Sequence, residues 1–320
     1  MRGHTLNYDI ESVIKKIGVN YALEGGAKRA GGVSSLEEAT KNDLCFCSLD
    51  GKQAASSISE SKAAIILCKF SLHGSVHPRK LQSLIFVDNP GLTFIRIVNF
   101  KKKKEANASA ISPHALISRT SKIGSNCSIG DFTIIGKNCS IGDNTVIHDR
   151  VSLLRDCRIG RNCTIQSGVT IGFDGFAYER MQNGKLERFP HLKGVIIGDD
   201  VDICPNCLIG RGSLSDTVIG DGTKLDGQVY VAHNAKIGKN CLLAAGTIVG
   251  GTAKIGDQCW TGLHCSIKQK VRIGNNVIVG AGAVVLHDIA DGDIVAGVPA
   301  KSIKEKVTTD KVFMMAGQKR

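Results

Sequence analysis

The sequence predicts a mainly β protein: a parallel β-helix of hexapeptide repeats, preceded by a small α+β domain and followed by a short C-terminal helix. Three observations carry the prediction. Aliphatic side chains fall on every sixth residue from Ile111 to Ile171, return at Ile197, Ile203 and Ile209, and run again from Ile219 to Val285 with only Thr261 out of type. Most of them are followed by glycine, as in "IGSNCS", "IGRNCT" and "IGKNCL". The chain also combines 37 Gly with 5% aromatic residues, a composition unsuited to a closely packed helical globule.

A period of six matches neither the 3.6-residue helix nor the two-residue strand. It matches a solenoid in which each hexad supplies one short strand and one corner. The aliphatic points inward, and the glycine after it is expected to give the corner its backbone freedom. With three faces to a coil, the 26 hexads make about nine coils, roughly 40 Å of prism at ~4.8 Å between stacked strands. The prism is assigned to residues 107–299, with an insertion over 173–194.

Residues 1–106 read differently. "YDIESVIKKI" sets Ile10, Val13, Ile14 and Ile17 at helical spacing. "SLEE" (Ser35 to Glu38) is a capping-box start to a short helix. "KAAIIL" and "SLIFVD" read as strands, and "NPGLTFIRIVNF" as a helix capped by Asn89 with Pro90 in its first turn. "KKKKEANAS" (Lys101 to Ser109) is a solvated linker to the prism. The tail over 300–320 leaves room for about one helix.

The net charge of +12 favours anionic partners but does not choose among nucleotide, nucleic acid, acidic protein and membrane surface. No apolar run approaches the ~18 residues of a membrane span, and the N-terminal stretch, carrying Asp9 and Glu11, lacks the apolar core of a secretory signal. Twelve cysteines invite a disulfide or zinc reading. Yet Cys127, Cys139, Cys157, Cys163, Cys207, Cys241, Cys259 and Cys265 all sit two residues before a hexad aliphatic, where other repeats carry Val, Thr or Ala. They are therefore read as small inward-facing wall residues, and "CPNC" as no metal or redox motif. So many free thiols point to a reducing, intracellular compartment, either bacterial cytoplasm or mitochondrion.

Two breaks in the period, between Ile171 and Ile197 and between Ile209 and Ile219, expel loops from a rigid prism and are candidate ligand-shaping elements. In "VYVAHNAKIG" the outward residue is His233, and the position directly above it, one coil on, is Gly251. An imidazole beside an exposed backbone N–H is a minimal set for acyl transfer: a base for the attacking amine or hydroxyl, and a donor for the thioester oxyanion. Asp226, one hexad earlier, is placed to bind substrate or bias the ring. The other eight histidines, including His191 in the insertion, are read as inert.

The stretches "GFDGFAYE", "IGRGSLSDTVIGDG", "LDGQVYVAHNAKIG" and "AAGTIVGGTAKIG", with "NDLCFC", "AAIIL" and "NPGLTF" in the first domain, resemble the UDP-3-O-acylglucosamine N-acyltransferases of lipid A synthesis over nearly the whole chain. The resemblance implies left-handed winding and a homotrimer with sites between prisms. It implies a 3-hydroxyacyl chain delivered on the phosphopantetheine of acyl carrier protein to the 2-amine of a UDP-glucosamine, with no permanently bound cofactor or metal. The general base falls on His233, the oxyanion-facing glycine on Gly251 and the preceding aspartate on Asp226. Substrate binding falls on Phe46, Asp174, Gly175, Phe176, Tyr178 and Asn234. A basic surface suits an acidic carrier protein, and nucleic acid is not among the implied partners. Two stretches depart from the pattern. Leu49 and Lys52 stand where the family has Asn and a stacking Tyr, and "KQK" (Lys268 to Lys270) stands for Asn-Gly-His, so nucleotide and acyl-donor contacts are expected to differ there.

Other readings of the same prism remain open at this stage. One is a transferase using another amino-sugar or acetyl-CoA. Another is a non-enzymatic scaffold. A zinc carbonic anhydrase needs a His-x4-His pair, a spacing this sequence lacks.

Overall fold

The computed structural model describes residues 9–100 and 110–306. The chain divides into two compact units, 1–106 and 107–320.

In the first unit, α1 (Ile10–Lys16), β1 (Ala22–Gly25), β2 (Gly32–Val33), β3 (Asp43–Phe46), α2 (Gly51–Glu60), β4 (Ile65–Lys69), β5 (Ser83–Val87) and α3 (Pro90–Val98) follow in chain order. The sheet order is β1-β5-β4-β3-β2, with β1 antiparallel to β5 and the remaining pairs parallel. Every residue of β4 and β5 is buried, which is why both read as continuous apolar runs. Asn89 Oδ1 accepts the Leu92 N–H at 3.0 Å and Pro90 occupies the first turn of α3, as its sequence predicts. The "SLEE" stretch is a correction. Ser35 Oγ does accept the Glu38 N–H at 3.3 Å, but the chain forms only a turn there, with no apolar face to extend into a helix. Helix α2 escaped the periodicity reading because only Ala54 and Ile58 of its ten residues are buried.

The second unit is the left-handed parallel β-helix. Among the described residues its three faces carry eight, ten and nine strands, mostly two residues long. Stacking follows the hexads: Tyr230 pairs with Ile248 and Val231 with Val249, 18 positions apart. The hexad aliphatics form one continuous buried core. Thr261 is buried among them, with its hydroxyl 2.9 Å from that of Thr247.

The corners assign backbone freedom differently from the sequence reading. The left-handed residue is the third after the aliphatic, usually asparagine: Asn126, Asn138, Asn144, Asn162, Asn206, Asn234, Asn240 and Asn276 all have φ between 53° and 61°. The hexad glycines serve close stacking instead. A Cβ on Gly220 would lie 2.7 Å from the carbonyl carbon of Gly238, and one on Gly238 2.6 Å from that of Gly256.

All twelve cysteines are free, and the eight assigned to the prism wall are buried. They are more than compact hydrophobes. Cys127, Cys163, Cys241 and Cys259 donate through Sγ to corner carbonyls of the next coil at 3.0–3.2 Å. Thr133, Thr145 and Thr223 make the same bond at 2.7–2.9 Å. Cys and Thr interchange at this phase because both are small donors. In the tail, Lys301–Ser302 is a short antiparallel strand and Lys304–Lys306 a single 3-10 turn, so the expected helix does not begin at residue 300. Residues 307–320 lie outside the described residues.

Candidate active site

The corner after strand Tyr230–Val231 carries His233, partly exposed, followed by buried Asn234 with φ +61°. That left-handed turn brings the asparagine amide back against the imidazole, with Oδ1 2.9 Å from His233 Nδ1. The amide orientation is fixed by backbone groups. Oδ1 accepts the Ser213 N–H at 3.3 Å and the Ser213 hydroxyl at 2.7 Å, while Nδ2 donates to the Ser215 carbonyl at 2.7 Å. Since Oδ1 only accepts, Nδ1 of His233 carries the hydrogen. In the neutral ring the lone pair therefore lies on Nε2.

Nε2 faces Gly251. A Cβ at that glycine would stand 2.9 Å from both Nε2 and Cε1 of the ring, so only glycine fits. On a neighbouring face the corner N–H groups are capped from the next coil, Lys239 by Asp257 at 2.7 Å, Asp257 by Asn275 at 2.8 Å, and Asn275 by Asp291 at 2.9 Å, whereas the face that carries Gly251 has no such side-chain caps among the described residues. The residue one coil above Gly251 is Gln269, exposed and making no such bond, and the Gly251 N–H has no partner among the described residues. An unprotonated nitrogen and an open donor thus share one corner, with space between coils for a reacting group.

The two breaks in the repeat build the wall behind this corner, and they do so jointly. The first ends in an exposed hairpin, Tyr178–Arg180 with Leu186–Arg188, and returns through residues 191–194. That return is bonded to the second break: Leu192 N–H to Ser213 O at 3.0 Å, Lys193 N–H to Gly212 O at 3.0 Å, and Gly212 N–H to Gly194 O at 3.1 Å. Arg211, 1% exposed, ties both to the prism. Its N–H donates to Phe173 O at 2.8 Å, its Nε to Lys193 O at 2.6 Å, and its Nη2 to Asp156 Oδ2 at 2.8 Å. The Arg211 hydrogen bond holds the Asp156 carboxyl below the usual carboxylate range. Ser213 and Ser215, positioned by this lattice, are the residues that hold Asn234.

The same path delivers His191, which the sequence reading set aside. Its ring is 2% exposed and meets His233 edge-on, with centroids 5.3 Å apart. Burial pushes its pKa down, and the neighbouring His233 adds to that. Gly175 borders both rings: a Cβ there would stand 2.7 Å from His233 Cδ2 and 2.8 Å from His191 Nε2. Sequence carried one signal for His191, its place in an element already marked as ligand-shaping, but the loop's return path is not periodic.

The other predicted residues are placed as follows. Asp174 is exposed and lines an open cavity of about 600 Å³ with Lys137, Arg155, Phe173 and Arg211. Phe176 and Tyr178 are exposed and packed edge-to-face at 5.2 Å, with Arg188 over the Tyr178 ring. Asp226 is on the preceding corner, where its carboxylate accepts the Gly227 N–H at 2.7 Å and borders a cavity with Lys224, Leu242 and Trp260. Within the chain it is not a partner of His233. Asn234 is bonded on both sides of its amide and stands behind the imidazole. Phe46 belongs to the first unit, at the end of β3, half exposed against Phe94 at 5.0 Å. Lys268 to Lys270 are exposed on the coil above Gly251, and Lys270 N–H donates to Gly251 O at 2.9 Å. Among the described residues no three His, Cys, Asp or Glu side chains converge as a metal site.

A bacterial transferase hexapeptide model matches residues 114–151, 138–172, 216–251 and 252–287. The model described as UDP-3-O-(3-hydroxymyristoyl) glucosamine N-acyltransferase matches residues 31–100. The chain is 33% identical over 282 residues to the UDP-3-O-acylglucosamine N-acyltransferase of Pseudomonas fluorescens, covering 82% of this chain and 78% of that one. It belongs to the UDP-3-O-acylglucosamine N-acyltransferase family. The Bordetella pertussis member is 28% identical over 293 residues, covering 84% and 81% of the two chains. Among solved structures, the UDP-N-acetylglucosamine O-acyltransferase of Moraxella catarrhalis superposes with TM-score 0.57 at 27% identity, over 64% of this chain and 81% of that one. This is an acyltransferase family of lipid A synthesis. These relatives, with those of Pseudomonas syringae and Coxiella burnetii, are bacterial, and they give the mitochondrial alternative no support. No helix among the described residues is long and apolar enough to cross a membrane.

Proposed function

We propose that the protein transfers a 3-hydroxyacyl group from the phosphopantetheine thioester of acyl carrier protein to the 2-amine of UDP-3-O-(3-hydroxyacyl)glucosamine. One observation carries the mechanism: His233 is held by Asn234 with its free Nε2 beside Gly251 and an unpaired N–H. The amine attacks the thioester carbonyl as Nε2 takes its proton, and the Gly251 N–H stabilises the oxyanion. Collapse expels the pantetheine thiolate, which takes the proton back from the imidazolium. The products are an amide and a free thiol, with no covalent enzyme intermediate and no resident cofactor.

In this reading the sugar nucleotide is held by Asp174, Gly175, Phe176 and Tyr178, and the basic surface receives the acidic carrier protein. Three prisms associate with sites between them. That arrangement also gives Asp226 a role, since it does not meet His233 of its own chain but is free to meet that of a neighbour. Sedimentation would report the trimer. The chemical test is turnover of the carrier-protein thioester with the UDP-amine acceptor, with acetyl-CoA as the competing donor. His233→Ala is expected to lower kcat by about 10²–10⁴-fold. Wild-type turnover in that variant, or preference for acetyl-CoA, would refute the reading.

A further inference from the structure

His191 is not explained by packing. It is 2% exposed, yet neither ring nitrogen makes a hydrogen bond of good geometry among the described residues; the Phe189 backbone is the one nearby group that favours a ring N–H, and it falls short of that geometry. A neutral imidazole carries one donor and one acceptor, and an apolar ring of the same size would fill the place without leaving both unsatisfied. Buried polar groups without partners are rare in folded chains and require a reason. The location supplies one. The ring lies edge-on to that of His233 with centroids 5.3 Å apart, and Gly175, with no side chain, leaves open the space that borders both.

We propose that His191 is a second substrate-contacting residue of the transfer site, whose ring nitrogens hydrogen-bond the amino-sugar acceptor when its amine sits at His233. This rests on the function proposed above. The acceptor's 2-amine offers N–H donors and the adjoining 3-O-ester carbonyl an acceptor, the pair that a neutral imidazole lacks here. The charged and titratable groups facing His191 are His233, Asp174 and Arg188, and burial, followed by His233, pushes its pKa down, which disfavours the charged form and favours pairing with uncharged polar groups. Its element reinforces the assignment. Leu192 and Lys193 are bonded to the loop whose Ser213 and Ser215 fix Asn234, so both imidazoles are set by one lattice.

The test uses the full chain with His191→Phe and His191→Gln, and reads melting temperature without substrate alongside steady-state kinetics. His191→Phe removes the unsatisfied nitrogens and keeps the ring, so it should melt at or above the wild-type temperature. Its kcat/KM for the UDP-amine should fall by about tenfold or more, with the KM for the acyl donor unchanged, because a site lacking its hydrogen bond loses discrimination for a polar substrate. His191→Gln should recover activity to within roughly threefold, as its amide still donates and accepts. Full activity in His191→Phe would overturn the proposal and leave the ring as filler. A parallel fall of activity and melting temperature in both variants would also overturn it. Absence of N-acyl transfer by the wild type would instead remove the functional reading, and this proposal with it.

Discussion

Replacing Gly251 with alanine isolates the geometry of the base from the chemistry around it. The added methyl leaves the backbone N–H in place, and Gly251 does not have a positive φ, so the main chain accepts alanine. What it does not accept is the ring. The new Cβ would stand 2.9 Å from Nε2 and Cε1, whereas ordinary contact begins at 3.4 Å, so the imidazole must retreat by 3.4 − 2.9 = 0.5 Å. Its hydrogen bond to Asn234, at 2.9 Å, tolerates only about 0.3 Å of stretch before leaving the normal range of ~3.2 Å. The ring therefore rotates off the asparagine, or the coil shifts. A misplacement approaching 1 Å lowers the rate by about 10²-fold, equivalent to ~2.7 kcal/mol on the barrier. Loss of one neutral hydrogen bond lowers stability by only about 0.5–1.5 kcal/mol. The assay compares kcat for the acyl-carrier thioester in Gly251→Ala, His233→Ala and the double variant, with melting curves alongside. Since the methyl acts through the ring, it should cost nothing further once His233 is alanine. Wild-type kcat in Gly251→Ala, or an equal loss in both backgrounds, would refute the argument.

Asn234→Ala should lower kcat, with little change in KM, because Nδ1 loses the acceptor that fixes its tautomer. It should also lose about 1–3 kcal/mol of stability, measured by urea unfolding, since Ser213 and Ser215 are left with unpaired groups. For Asp156 the sign follows from its depressed pKa in the folded state, caused first by the Arg211 hydrogen bond. Its contribution is present above the unfolded value of ~3.9 and is lost as pH falls through the lower folded value. Asp156→Asn should therefore melt below wild type at neutral pH and converge with it in strong acid. Replacing the exposed hairpin tip between Arg180 and Leu186 by a short turn should change stability by no more than ~0.5 kcal/mol. It should leave kcat intact, and a large loss of stability would show that the tip is structural.

The prism was legible because a period of six fixes register as well as fold. Once Val231 and Val249 occupy the same phase, His233 and Gly251 must stack, and no tertiary information is needed to pair them. Local chemistry sufficed too where one residue decides an outcome, as Asn89 does at the start of α3. Failures came where the period gives no constraint. It identifies a glycine after each aliphatic but does not say whether that glycine turns the chain or lets coils approach, and the structure assigns the turn to asparagine two residues later.

The wall behind His233 was illegible for a different reason. The breaks after Ile171 and Ile209 were visible as two separate interruptions, but they act as one element only through hydrogen bonds between residues 192–194 and 212–213. Such pairings join non-periodic segments and have no signature in either segment alone. Asn234 shows how the two kinds of information meet. Its asparagine is what the repeat asks of a left-handed corner, and the same left-handed turn aims its amide at the imidazole. Corner asparagines elsewhere in the prism have the same φ. Asn234 differs because the second break places Ser213 and Ser215 against it, which locks the amide and so decides which nitrogen of His233 is free to act as a base.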